Sequence, residues 1–291
     1  MSRFRFIAAE KARHAVVRLC RVLGVSPSGF YAWAKRRPSP RTRANEALAS
    51  EIRNIHACSR GTYGAPRIHA ELQATGHRAS RKRVARLMRI EGLVGRGRRP
   101  ARRTTIPDPA AQAQDLVRRD FRPAAPDRLW LADITYVRTD EGWLYLAAIL
   151  DAYSRRVVGW ALANHLRTEL ALTALRMALA ARRPATGLIH HTDRGCQYTA
   201  GDYAALLTRH GIAQSLGRPG TCWDNAVAES FFATLKVELV DRHIWPTRRQ
   251  AQTAIFEFIE SFYNRQRRHS TLGYLPPATF EAEYHAAESA A

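Results

Sequence analysis

Between Leu129 and Val137 the chain reads Leu-Trp-Leu-Ala-Asp-Ile-Thr-Tyr-Val, a strand-like apolar run with one carboxylate, Asp133, at its centre. Such a carboxylate is expensive to bury unless something cationic satisfies it, and a metal ion would do so. A second apolar run, Leu188 to Thr192, ends on Asp193 just before the turn residues Arg194-Gly195. Glu229 lies in a helical stretch opened by Asp224-Asn225, with thirty-five residues between Asp193 and Glu229. Two strands and a helix, each delivering one acid, suit a two-metal phosphoryl-transfer site. Mg²⁺ or Mn²⁺ takes hard oxygen ligands, and two ions about 4 Å apart can activate an attacking hydroxyl and stabilise a leaving oxygen on one phosphate. The spacing predicts Asp133, Asp193 and Glu229 as catalytic residues and metal ligands.

The charge distribution points to nucleic acid as substrate. The formal net charge is +21, and residues 1–104 carry almost all of the excess, with 25 Lys/Arg against 5 Asp/Glu, while 105–291 hold 21 against 20. A basic N-terminal third on a nearly neutral body reads as a DNA-docking region attached to a catalytic one. The alternative, a solvated basic tail, fits less well because this third also shows apolar periodicity. The four cysteines, Cys20, Cys58, Cys196 and Cys222, are scattered without a C-x-x-C pair, which argues against a zinc site or disulfide framework. No apolar run approaches membrane-spanning length and no secretion signal opens the chain, so the expectation is a cytoplasmic, DNA-associated protein without a membrane partner.

Five segments separate along the chain. Residues 1–40 are an N-terminal helical segment in which 11–35 read as helix, turn, helix, with Ser26 as N-cap and Pro27 at the first helical position. Residues 41–104 read as a helix-turn-helix DNA-binding domain of three helices followed by a basic tract. Its third helix, capped by Ser80, has an apolar stripe of Val84, Leu87 and Met88 and carries Arg81, Lys82, Arg83 and Arg86 on its other faces, as a recognition helix requires. Residues 105–126, with Pro107, Pro109, Pro123 and Pro126, form a linker. Residues 127–245 alternate strands and helices after three adjacent strands, which predicts an α/β core with a mixed sheet flanked by helices. Residues 246–291 supply a C-terminal helix and tail that complete the core.

Three motifs carry a family resemblance. These are Trp130-x-x-Asp133-Ile134-Thr135-Tyr136, His191-Thr192-Asp193-Arg194-Gly195-x-Gln197-Tyr198 and Asp224-Asn225-Ala226-x-x-Glu229-Ser230-Phe231-Phe232-x-x-Leu235-Lys236. Together they resemble the catalytic core of bacterial insertion-sequence transposases, more narrowly the second-frame (OrfB-type) product, whose core is similar to retroviral integrases. Tyr263-Asn264-x-x-Arg267-x-His269-Ser270-x-Leu272-Gly273-Tyr274 resembles the same group's C-terminal signature, and Gly61-Thr62-Tyr63-Gly64-x-x-Arg67-Ile68 its helix-turn-helix segment. The resemblance implies an RNase H-like fold, the acidic triad as metal ligands, double-stranded DNA at element ends and target as substrate, and a bacterial host. It also implies multimers of this chain on DNA and an upstream-frame product as fusion or partner. The competing classes are a non-transposing RNase H-type nuclease and a DNA-binding regulator with an inactive core.

Neighbouring residues admit two readings each. Asn225, Glu229 and Lys236 recur at intervals of four and seven and share one helix face, so Asn225 and Lys236 are candidate DNA contacts, against an ordinary surface lysine. Asn264, Arg267 and His269 contact DNA or another subunit, or anchor the end of the 248–264 helix. Gln197 and Tyr198 border the site or pack a loop. His190 and His191, imidazoles on a strand, are assigned to packing.

Overall fold

The computed structural model describes residues 2–97, 117, 123–217 and 226–290. They divide into two compact units, Met1–Asn54 and Ile55–Ala291. In the first, α1 (Arg3–Glu10), α2 (Val16–Val22) and α3 (Pro27–Ala34) enclose a small core of Ile7, Leu19, Cys20 and Phe30. The α2–α3 pair follows the sequence expectation: the Ser26 hydroxyl accepts the Gly29 N–H at 3.0 Å, and Pro27 opens α3. Helix α1 is an addition to that expectation. Its Phe4, Ile7 and Ala8, at helical spacing, turn toward the same core. Helix α4 (Pro40–Cys58) begins in this unit and ends in the next.

The second unit opens with α5 (Ala65–Ala74) and α6 (Arg81–Ile90). Ser80 caps α6 by accepting the Arg83 N–H at 3.3 Å, and Val84, Leu87 and Met88 are buried as one stripe. The sheet follows, built of β1 (Leu129–Thr139), β2 (Gly142–Asp151), β3 (Val157–Ala163), β4 (Ile189–Thr192) and β5 (Ala213–Leu216) in the order β3-β2-β1-β4-β5. Strands β1, β2 and β3 pair antiparallel, whereas β4 joins β1, and β5 joins β4, in parallel. The parallel strands arrive through helical connections, α7 (Thr168–Arg182) before β4, then α8 (Cys196–Thr199) and α9 (Gly201–Arg209) before β5. This is the mixed, helix-flanked sheet that the alternating elements predict.

Both sheet faces are covered. Trp130, Ala132, Ala147 and Ile149 pack with Leu170, Leu175 and Leu179 of α7. Leu131, Val137, Leu144 and Leu146, which alternate with them, are equally buried. Helices α10 (Ala226–Glu238) and α11 (Arg248–Glu257) pack on β1 and β2. Gly159 lets α7 approach β3, since a Cβ there would lie 2.4 Å from the Ala174 carbonyl oxygen. At the β3 edge, Asn264 imitates a strand: its Oδ1 accepts the Val157 N–H at 2.9 Å and its Nδ2 donates to the Val157 carbonyl at 3.0 Å. Helix α12 (Pro277–Ser289) is held by the buried Glu281, which pairs with Arg156 and Arg182. Asn264 therefore takes the anchoring one of its two readings.

Candidate active site

The parallel register of β1 and β4 brings two carboxylates together. Its last pair is Leu131 with His191, and Asp133 and Asp193 each follow two residues later, level with one another at the carboxyl end of β4 and beside the middle of β1. Ligand sites in open α/β sheets lie at such ends. Asp133 and Asp193 line a cleft of about 240 Å³ together with Tyr145, Leu166, Gln197 and Tyr198. Gln197 and Tyr198 thus border the site. Asp133 accepts the Ile134 N–H at 2.7 Å, and Asp193 accepts the Gly195 N–H at 3.0 Å. Burial, then the charge of Asp193, then that of Glu229 push the Asp133 carboxyl up to about 8, against a pull downward from Lys236 and the Ile134 N–H. Asp193 is raised too, mainly by burial.

Helix α10 carries the other two charges. Glu229 stands exposed in its first turn. Lys236 lies two turns on, its Nζ 5.1 Å from the centroid of the Tyr136 ring. Glu229 is near enough to act on Asp133, yet it does not line the cleft, and among the described residues no three His, Cys, Asp or Glu side chains gather tightly enough to hold a metal ion. The pair lines one cleft, and the third acid follows residues 218–225, which include Asn225 and Cys222 and lie outside the described residues. The donor set fits a hard divalent cation. Two carboxylates share one cleft, and one resists ionisation until a positive charge offsets its burial.

The structure separates the remaining candidates. Arg81, Lys82 and Arg86 are exposed on α6, and Arg83 is half-buried. Arg267 corrects the sequence reading: it is 3% exposed, and its guanidinium forks onto Glu238 of α10 with bonds of 2.8 and 2.7 Å. A cation spent in this way inside the fold is an anchor rather than a DNA contact. The joint also takes in the helix-turn-helix signature. Arg67 reaches Glu238 at 3.4 Å, the Tyr63 hydroxyl accepts the Arg268 N–H at 2.7 Å, and Arg268 pairs with Glu71. His190 bonds Tyr203 at 2.7 Å and His191 bonds Ser215 at 2.8 Å, both buried, in the packing role expected of them. Sequence reasoning missed Tyr136 and Trp143, which stand exposed beside the cleft. The available signal was a large aromatic ring on each strand near the tip of a hairpin.

Comparisons with known proteins give the family. Models of the integrase core domain match residues 123–222 and 210–277, and a model of an HTH-like domain matches 43–101. The chain is 44% identical over 268 residues, 92% of its length and 98% of the relative's, to an insertion element IS600 uncharacterized 31 kDa protein of Shigella sonnei. It is 40% identical over 284 residues, 96% of its length and 98% of the relative's, to the transposase InsF for insertion sequence IS3A of Escherichia coli strain K12. The chain belongs to the insertion-sequence transposases. As a transposase with an integrase core it is a DDE-type polynucleotidyl transferase that binds DNA, of a family that generally depends on divalent metal. Among solved structures it is similar to a simian T-cell lymphotropic virus intasome, with TM-score 0.46 and 16% identity over 79% of this chain and 74% of that one. It is also similar to the catalytic core of BIV integrase, with TM-score 0.42 and 16% identity over 56% of this chain and 99% of that one. Among the described residues no helix is long and apolar enough to cross a membrane.

Proposed function

We propose that Asp133, Asp193 and Glu229 form the phosphoryl-transfer centre of this transposase and hold two Mg²⁺ or Mn²⁺ ions, at which the ends of its element are cut and joined to target DNA. The observation that carries the reading is the β1–β4 register, which sets Asp133 and Asp193 side by side in one cleft. The ions would supply activation of the attacking oxygen and charge stabilisation at the phosphate. Asp133 must first lose the proton that burial and Asp193 hold on it. Glu229, in the first turn of α10, supplies the third carboxylate. Lys236 neutralises phosphate along the same helix, and Asn225, the residue that precedes α10 in the sequence, is taken as a further DNA contact. Arg81, Lys82, Arg83 and Arg86 on α6 hold the duplex by its phosphates and grooves. Water opens a phosphodiester to free a 3′-hydroxyl, and that hydroxyl attacks the target phosphorus in line. One P–O ester forms as another breaks, with no covalent protein intermediate. Pairing two ends in one reaction calls for several copies of the chain on DNA, with the upstream-frame product as fusion or partner.

The test is cleavage and strand transfer of a duplex bearing the element's terminal repeat in Mg²⁺. Asp133→Asn, Asp193→Asn and Glu229→Gln should each lower both rates by ~10²–10³-fold or more, while duplex binding stays within about threefold of the parent. A double variant should be no worse than a single one, because each dismantles the same centre. Glu229→Gln retaining parental rates would remove Glu229 from the triad.

A further inference from the structure

A second recess adjoins the catalytic cleft. It measures about 510 Å³ and lies between the β1–β2 hairpin and the segment that follows α10. Tyr136 and Trp143 form one wall. The register pairs Tyr136 with Tyr145 and Arg138 with Trp143, so the two rings are diagonal neighbours on one sheet face, edge to face with centroids 5.1 Å apart. Tyr136 is 53% exposed and Trp143 46%, and Ile244 opposite is 84% exposed. Rings of this size left open to water mark a contact surface more often than a packing error. The recess is preformed: the Asp140 N–H donates to the Trp245 carbonyl at 2.9 Å, and Arg248 Nε donates to the Trp143 carbonyl at 3.1 Å, tying the hairpin to the opposite wall.

Two features identify the occupant. The first is continuity, because Tyr136 lines both the recess and the cleft holding Asp133 and Asp193. It stands three residues from Asp133, about 10 Å of extended strand, a span that one or two nucleotides bridge. The second is chemistry. Arg138 and Lys236 line the recess, with Lys236 over the Tyr136 ring, but Asp140 and Asp241 line it as well. Acids that offset the cations make a poor phosphate cradle, yet a carboxylate accepts well from the amino edge of a base. Exposed rings with cations beside them are the usual platform for unstacked bases. We infer that this recess receives one base of the DNA strand next to the scissile phosphate, drawn out of the duplex and stacked on Trp143 and Tyr136. The inference rests on the catalytic centre proposed above.

The experiment follows cleavage by the full-length chain in Mg²⁺ on two duplexes bearing the element's terminal repeat, one fully paired and one carrying mismatches at the base pairs flanking the scissile phosphate. Trp143→Ala should lose roughly 10- to 100-fold in rate on the paired duplex, the range for removing one stacking partner. It should stay within about threefold of the parent on the mismatched one, where unstacking has already been done. Trp143→Phe should behave as the parent. Ile244→Ala, at a site too exposed to disturb folding, should share the defect of Trp143→Ala in weaker form. Equal losses on both duplexes, or no loss at all, would overturn the inference while leaving the catalytic centre standing, since that centre is read independently from Asp133→Asn on the mismatched duplex. A variant that instead only loses self-association in sedimentation would make the recess a protein-docking surface and equally overturn it.

Discussion

Asp133 has its ordinary acidity removed by where it sits. Its carboxyl is held up to about 8 in the fold, against roughly 3.9 in an unfolded chain. A raised folded-state value means that the stability linked to the protonated form is complete below about pH 4 and is lost as pH rises toward 8. In EDTA, the urea midpoint of the parent should therefore fall between pH 5 and 8 more steeply than that of Asp133→Asn; parallel profiles would contradict the assigned environment. Arg267 makes the opposite case, a cation inside the fold. Arg267→Ala leaves Glu238 buried without its main partner and should lower the unfolding free energy by ~3–5 kcal/mol, whereas Arg267→Met combined with Glu238→Leu should recover most of it. Urea denaturation measures both. A stable Arg267→Ala with duplex affinity reduced tenfold would return Arg267 to the DNA interface. Sequence alone exposed the Arg267 motif without its role, because Glu238 lies twenty-nine positions away and nothing local announces the pairing.

At the scale of elements, legibility followed periodicity. The buried stripe of α6 and its Ser80 cap stood in the sequence, as did the apolar runs that became β1 and β4. The level placement of Asp133 and Asp193 did not, since it comes from a parallel register between strands separated by β2, β3 and α7. Helix α1 was legible only as part of the 1–40 helical segment, because Arg3 and Arg5 flank Phe4 and only its contact with Phe30 shows which side faces the core. The hold on α12 was equally hidden, for Glu281 meets Arg156 and Arg182 across 125 and 99 residues. The basic helix gives the element-scale prediction. Arg81→Ala, Lys82→Ala and Arg86→Ala should each flatten the log–log salt dependence of duplex binding by about 0.9 if each cation neutralises one phosphate. An unchanged slope in all three, measured by fluorescence anisotropy from 50 to 200 mM salt, would take α6 out of the interface.

For the molecule as a whole, charge and chemistry are divided. The basic excess lies in residues 1–104, and the acids proposed for catalysis lie in a body that is nearly neutral. The described structure sets two of those acids in one cleft and the third in the first turn of α10, and the proposed function has all three hold metal in one centre. That claim is tested most directly by thermal melts of the full-length chain in EDTA and in Mg²⁺ at constant ionic strength, for the parent and for the three carboxamide variants. A cation that binds only the folded state adds about 1.4 kcal/mol when it is tenfold above its dissociation constant, or a few degrees in a protein of this size. The parent should gain that rise and Asp133→Asn, Asp193→Asn and Glu229→Gln should each lose most of it, whereas equal rises in all four proteins would contradict a shared metal centre.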